Sequence, residues 1–173
     1  MQGKITFPIF QIVGYKNAGK TTLIKKLIQY FSKEGIRVGT LKHHGHGGEP
    51  AFVKDTDSYE HLEAGSIISA VQGEKMLQVT VNKTEELKFD EILKLYTFLP
   101  LDLLLIEGYK NEKYPKIVLL RDQADAQLLS TVSNIKAVGT WDTEKLHSTN
   151  YLHFSIQHID TVLPDLAKMI KYK

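Results

Sequence analysis

The 173 residues carry 42% hydrophobic and 24% charged side chains, no cysteine, and a formal net charge of +2. This composition is ordinary for a soluble protein, excludes disulfides and thiolate metal sites, and gives no basic excess that would predict a nucleic-acid partner. No apolar run approaches the ~20 residues of a membrane span, and the N-terminus lacks a signal-peptide core. We therefore expect a cytoplasmic protein with one domain, residues 1–173, and no membrane partner.

The first predicted unit is a strand, a glycine-rich turn and a helix. Residues 8–13 are apolar enough for a buried strand, and the apolar residues of 23–31 recur at helical spacing before a stop at Gly35. Between them, residues 14–21 match the phosphate-binding loop pattern. Glycines let such a backbone approach a phosphate, and its N–H groups form an anion nest at the helix start. The predicted phosphate-binding residues are Gly14, Tyr15, Lys16, Asn17, Ala18, Gly19, Lys20, Thr21 and Thr22.

Two side chains of this loop have specific predicted roles. Lys20 places a compact positive charge on the outer phosphates, which makes it a candidate catalytic residue. The hydroxyl of Thr21 is the expected Mg²⁺ ligand, because Mg²⁺ takes oxygen ligands and usually keeps several waters.

A second strand at 36–42, parallel to the first, ends in a polar loop that contains His43, His44 and His46. These histidines could bind a transition metal, but the interleaved glycines favour a loop that orders over a substrate. Residues 55–64 predict a short helix with an Asp or Ser cap, closed by Gly65. Asp55 and Asp57, at the ligand edge of the sheet, are either solvated caps or the source of a further Mg²⁺ ligand, with Asp57 the favoured candidate.

Two β-rich runs, 67–71 and 76–81, predict a hairpin around Gly73, followed by a helix at 87–98. Residues 101–106 then form a strand that is apolar apart from Asp102, is expected beside the first strand and ends at Glu107. We predict that Glu107 lies near the metal or the attacking water and acts in catalysis. Asp102 starts the same strand and should lie at the opposite edge of the sheet.

Strands at 117–120, 135–140 and 152–154 and a helix at 160–171 complete the chain, with 121–134 left ambiguous. Asp142 follows a late strand, where a carboxylate could accept two hydrogen bonds from guanine; a plain loop aspartate is the alternative. The predicted fold is an α/β three-layer P-loop NTPase with a mainly parallel sheet and an inserted β-hairpin.

These residues resemble the MobB family of molybdopterin-guanine dinucleotide biosynthesis adaptors. The phosphate loop is shared by many families, whereas the Lys-His, Asp-Ser-Tyr and Ile-Glu-Gly-Tyr-Lys segments, in this order, are more specific. The matching stretches are 19–27, 41–43, 57–59 with 64–65, 103–110 and 116–122.

The resemblance implies a GTP-binding, weakly GTP-hydrolysing homodimer. It also implies an adaptor that assists the MobA nucleotidyltransferase in attaching GMP to molybdopterin, so molybdopterin or its guanine dinucleotide is an expected ligand. Two departures stand out: the histidine loop is unusually glycine-rich, and Lys16 is one position away from the signature lysine of related ATPases. A metallochaperone GTPase, or a small-molecule kinase or ligase of the same fold, is the alternative.

Overall fold

The computed structural model describes residues 4–43, 54, 56–82, 87–141 and 151–171. Its main sheet has six strands in the order β2-β5-β1-β6-β7-β8, and every adjacent pair is parallel. The strands are β1 (Ile9–Gly14), β2 (Val38–Lys42), β5 (Leu103–Glu107), β6 (Lys116–Leu120), β7 (Ile135–Thr140) and β8 (Leu152–Ser155). The predicted parallel sheet, with the acidic strand β5 directly beside β1, is confirmed.

Helices cover both faces of this sheet, which confirms the three-layer prediction. Helix α1 (Lys20–Lys33) packs with α5 (Ile159–Lys171) on one face, over Phe10, Ile12 and Leu105. The other face buries Leu93 of α3 (Phe89–Tyr96) and Leu128 of α4 (Leu128–Thr131). Among the described helices, none has the length and apolarity needed to cross a membrane.

The central strand β1 anchors the start of the glycine-rich turn. Its residues Ile9 to Val13 are buried, and it hydrogen-bonds to β5 on one side and β6 on the other. A strand buried on both faces needs a nearly continuous apolar run, which is the pattern that the sequence shows. Helix α1 ends as predicted at Gly35, whose φ of 74° lets Ile36 N–H bond to Phe31 O at 2.9 Å.

The inserted hairpin is a separate two-stranded antiparallel sheet, as predicted. Strands β3 (Ile68–Gln72) and β4 (Leu77–Val81) pair across a turn in which Gly73 N–H donates to Met76 O at 2.8 Å. One face of the hairpin is apolar and exposed to solvent. We call it the hairpin face; its apolar residues are Ile68, Ala70, Leu77, Val79 and Val81, and Gln72 lies on the same face opposite Leu77.

The structure corrects one local prediction and completes another. Helix α2 (Asp57–Glu63) has Thr56 at its N-cap, so the predicted Asp or Ser cap is wrong: Thr56 is extended there, and its hydroxyl pairs with the Ser58 hydroxyl at 3.1 Å. The segment 121–134, which the sequence left ambiguous, contains a 3-10 helix, Gln123–Gln127, that leads into α4. The Asp122 carboxylate caps it by accepting bonds from Ala124 and Asp125 N–H.

Candidate functional site

The glycine-rich turn lies between the end of β1 and the start of α1, and its backbone admits few side chains. A Cβ on Gly14 would lie 2.5 Å from the carbonyl oxygen of Leu119, so only glycine fits beside β6. Gly19 has a φ of 95°, and a Cβ there would lie 3.2 Å from Ile156. Asn17 also has a positive φ, 63°. These left-handed residues curl the backbone at the N-terminus of α1, as an anion-binding loop requires.

The side chain of Lys20 folds back over this turn. Its ammonium group donates a hydrogen bond to the Tyr15 carbonyl oxygen at 2.7 Å. Partial burial lowers the pKa of Lys20, and the nearby negative charge of Glu107 opposes that shift. The ammonium therefore lies where an anionic ligand would relieve the cost of its desolvation.

Thr21 and Glu107 meet at the carboxyl end of the sheet, 86 positions apart in the chain. The Thr21 hydroxyl lies 3.2 and 3.4 Å from the two carboxylate oxygens of Glu107. Glu107 ends β5, is opposite Lys42 of β2 in register, and has a carboxylate oxygen 3.6 Å from the Lys42 ammonium. The fold thus brings Thr21 and Glu107 together, as the sequence predicts.

Asp102 lies at the other edge of the sheet, as the sequence predicts. Its carboxylate accepts hydrogen bonds from the backbone N–H and guanidinium of Arg37, each at 2.8 Å. These bonds hold the pKa of Asp102 far below its usual range. The residue ties β2 to β5 and has no part in the candidate site.

The other predicted site residues are less central or lie outside the described part of the chain. Asp57 is exposed on the first residue of α2, and it is not among the described residues that line the cleft, to which α2 contributes Tyr59, Leu62 and Glu63. Its metal role stays a prediction. Asp142, His44, His46 and Asp55 lie outside the described residues. The described residues contain no cluster of three or more His, Asp or Glu side chains able to hold a metal.

The connection from β5 to β6 contains residues that the sequence analysis missed. Residues 108–115 cross over β1 without a helix, although parallel crossovers usually take a dozen or more residues. Gln11, fully buried on β1, donates to the carbonyl oxygens of Gly108 and Tyr109 at 3.1 and 2.7 Å. Lys116, also fully buried, donates to Glu112 O at 2.6 Å and Ser133 O at 2.7 Å.

Further contacts fix the start of this crossover directly after Glu107. Gly108 and Tyr109 both have positive φ, 92° and 51°. The Tyr109 ring packs between His43 and Phe89, with centroid distances of 4.6 and 4.7 Å. Lys110 then places its ammonium 5.9 Å from the centre of the Tyr15 ring, over the glycine-rich turn. The polar residues Gln11 and Lys116 in otherwise apolar strands were the only sequence signal for this support.

One open cleft joins the turn, the ends of β2 and β5, the crossover and one edge of the hairpin. Its lining carries several lysines, which are Lys16, Lys20, Lys42, Lys54, Lys88 and Lys110. Trp141, at the end of β7, lines it too. Backbone N–H groups, a lysine, a hydroxyl and a carboxylate thus converge in a cationic cleft, and this donor set fits a nucleotide phosphate with Mg²⁺.

Comparison with known proteins identifies the family of this chain. Residues 9–141 match the family model described as MobB, molybdopterin guanine dinucleotide synthesis protein B. The chain belongs to the MobB family. It is 41% identical over 157 residues to a probable molybdopterin-guanine dinucleotide biosynthesis adapter protein of Bacillus subtilis, covering 89% of this chain and 87% of that protein. The Escherichia coli adapter protein is 38% identical over 126 residues, covering 72% and 71% of the two chains.

Solved MobB structures share the fold. The crystal structure of Bacillus subtilis MobB superposes with a TM-score of 0.81 at 37% identity, covering 96% of this chain and all of that one. A MobB homologue from Bacillus stearothermophilus gives a TM-score of 0.77 at 34% identity, covering 95% and 99%. The predicted P-loop NTPase-like fold and the MobB resemblance are therefore confirmed. The chain is a MobB adapter of molybdopterin guanine dinucleotide biosynthesis.

Proposed function

We propose that this MobB protein binds GTP with Mg²⁺, hydrolyses it slowly, and assists MobA in forming molybdopterin guanine dinucleotide. The observation that carries the proposal is the meeting of the Thr21 hydroxyl and the Glu107 carboxylate, 3.2 Å apart, beside the turn that Lys20 covers. A hydroxyl and a carboxylate next to an anion nest are the groups that a nucleotide-bound Mg²⁺ requires.

Each residue of the site has a distinct task in this proposal. The N–H groups of the turn and the Lys20 ammonium hold the phosphates. The oxygens of Thr21 and Glu107 hold Mg²⁺, which neutralises charge on the transferred phosphoryl group when bound. Glu107 also orients water, a task supported by its fixed position: its side chain is only 12% exposed, and the crossover after it is anchored to Gln11.

Guanine recognition rests on Asp142 in this proposal. That residue directly follows Trp141, which lines the cleft at the end of β7. A carboxylate there would accept bonds from guanine N1–H and the exocyclic amine, neither of which adenine offers.

The adaptor role is supported by the names of the relatives and by the positive charge of the cleft lining. The Bacillus subtilis and Escherichia coli proteins are both named adapter proteins of this biosynthesis. Besides the lysines around the turn, Lys54 and Lys88 line the cleft. They could receive a second anionic ligand, such as the phosphate of molybdopterin or of its guanine dinucleotide.

We also propose a homodimer formed through the hairpin face. Leu77 is 62% exposed, Ile68 58% and Val79 50%, although all three lie on the same apolar side of the sheet. An isolated two-stranded hairpin is marginal in water, and an apolar face of this kind marks an interaction surface. A second copy presents an identical apolar face, so the pair can bury both in one symmetric contact.

The nucleotide proposal is tested by isothermal titration of the full chain with GTP and ATP in the presence of Mg²⁺, with released phosphate measured separately. We expect GTP to bind more tightly than ATP, with slow hydrolysis. Removing Mg²⁺ should weaken GTP binding, whereas adding Ni²⁺ or Zn²⁺ should leave it unchanged. Equal affinity for ATP would refute the guanine assignment, and no binding of either nucleotide would refute the proposal.

A further inference from the structure

Trp141 is an exposed aromatic side chain directly beside the glycine-rich turn. It follows the last residue of β7, whose Gly139 and Thr140 are buried, yet 41% of Trp141 itself is exposed. Its Cζ2 atom lies 3.8 Å from the position that a Cβ on Gly19 would occupy. Among the described residues, the aromatic ring pairs involve other side chains and leave Trp141 out. Tryptophan is usually well buried, so the exposure of Trp141 suggests a role in ligand binding.

The strand order fixes which end of a bound nucleotide would reach Trp141. Thr21 and Glu107 define the metal and outer-phosphate end, and Glu107 belongs to β5, on one side of β1. From this end, a nucleotide that lies across β1 towards β6 and β7 brings its base to Trp141. Strands lie ≈ 4.8 Å apart, so the distance from β5 to β7 is about 14 Å, comparable to an extended nucleoside triphosphate.

The cleft offers an apolar wall on the β7 side of the turn. Its lysines Lys20, Lys42 and Lys110 lie around the turn and the ends of β2 and β5. On the β7 side, the lining residues are Leu128 and Trp141. Lysines for phosphates and an aromatic side chain for a flat heterocycle suit the two ends of a nucleotide.

We infer that the indole of Trp141 is the platform on which the nucleotide base stacks. This inference rests on the proposed nucleotide site and names the residue that holds its base. Stacking on an aromatic side chain contributes to affinity for any base, because every base has a π-face. Trp141 therefore sets the affinity for the nucleoside end, while selection of guanine depends on hydrogen bonding elsewhere.

The test uses the full chain, GDP with Mg²⁺, and inorganic tripolyphosphate with Mg²⁺ as a ligand that has phosphates but no base. Trp141 is the single tryptophan of the sequence, so the intrinsic fluorescence reports on this position alone. We expect GDP to change that fluorescence at saturation and tripolyphosphate to leave it almost unchanged. In calorimetry, Trp141→Ala should raise the Kd for GDP about 5- to 150-fold and leave the Kd for tripolyphosphate within twofold.

Two further variants keep the result interpretable. Trp141→Phe retains a stacking surface and should raise the Kd for GDP less than threefold. Phe98→Ala truncates an aromatic side chain that is 83% exposed and lies outside the cleft, so it should bind GDP as the parent does. Circular dichroism and urea unfolding check that each variant is folded.

Three outcomes would overturn the inference. Unchanged GDP affinity in folded Trp141→Ala would show that the base lies elsewhere. An equal loss of tripolyphosphate binding would show that Trp141 only supports the turn through Gly19. If the parent protein binds neither ligand, the nucleotide proposal itself fails, and the base platform fails with it.

Discussion

Replacing Lys20 with alanine separates the fold from the phosphate site. The Lys20 ammonium donates a hydrogen bond to the Tyr15 carbonyl oxygen at 2.7 Å, and the residue is only partly buried. Burial lowers its pKa, so the charged form already bears a desolvation cost there. After solvent screening, the variant should lose no more than about 1 kcal/mol of unfolding free energy.

The loss in nucleotide binding should be much larger. A hydrogen bond to a charged group contributes about 1.5–3 kcal/mol, so an ammonium bound to two phosphate oxygens contributes about 3 kcal/mol or more. That corresponds to a loss of roughly 100-fold or more in affinity. If Lys20 contacts the β-phosphate, the loss of affinity should be equal for GTP and GDP. If it contacts the γ-phosphate, the loss should be larger for GTP.

Calorimetric titration with GTP and Mg²⁺ measures this effect, and urea unfolding measures stability. Lys25→Ala is the matched control, because it removes the same charge from an exposed position on α1. A folded Lys20→Ala variant that binds GTP within threefold of the parent would refute the phosphate-site assignment. A similar loss in Lys25→Ala would attribute the effect to net charge alone.

Three further predictions follow from the same geometry. Glu107→Gln should slow GTP hydrolysis about 100-fold and change GTP affinity less than tenfold; an unchanged rate would make Glu107 structural. Leu77→Lys should convert the homodimer to a monomer, as measured by light scattering at micromolar concentration. Val71→Lys, on the side of the hairpin opposite the hairpin face, should leave the dimer intact, and a monomeric parent would refute the dimer. Burial lowers the pKa of Lys116 from 10.5, so the protonated side chain is less stable in the folded state than in the unfolded state. The unfolding free energy of the parent relative to Lys116→Met should therefore increase as pH rises towards about 10.5, and a pH-independent difference would contradict this.

The positions of the turn and of Glu107 in the candidate site were predictable because their residues are contiguous or follow strong strand signals. Residues 14–21 form a local pattern whose glycines each have a steric reason, as Gly14 against Leu119 shows. Glu107 was predictable because a fully apolar run of this kind becomes a buried parallel strand, and its last residue then reaches the ligand edge. The residue types themselves therefore determined where the two parts of the chain meet.

The support behind the site was not predictable, because it depends on contacts between distant segments. Gln11 and Lys116 are polar residues in apolar strands, and nothing local shows that they hold a crossover between β5 and β6. The short helix cap was misassigned for a related reason. Thr56, Asp57 and Ser58 can all cap a helix, and only the backbone conformation shows that the helix begins after Thr56.

The central claim is that this MobB protein assists MobA through a GTP site built on Lys20, Thr21 and Glu107. The most direct measurement is the yield of molybdopterin guanine dinucleotide from a purified molybdopterin source, MobA, GTP and Mg²⁺, with and without this chain. We predict a higher yield with the chain, no increase with its Lys20→Ala variant, and no product without MobA. No increase with the parent chain, or guanylylation by the chain without MobA, would contradict the account.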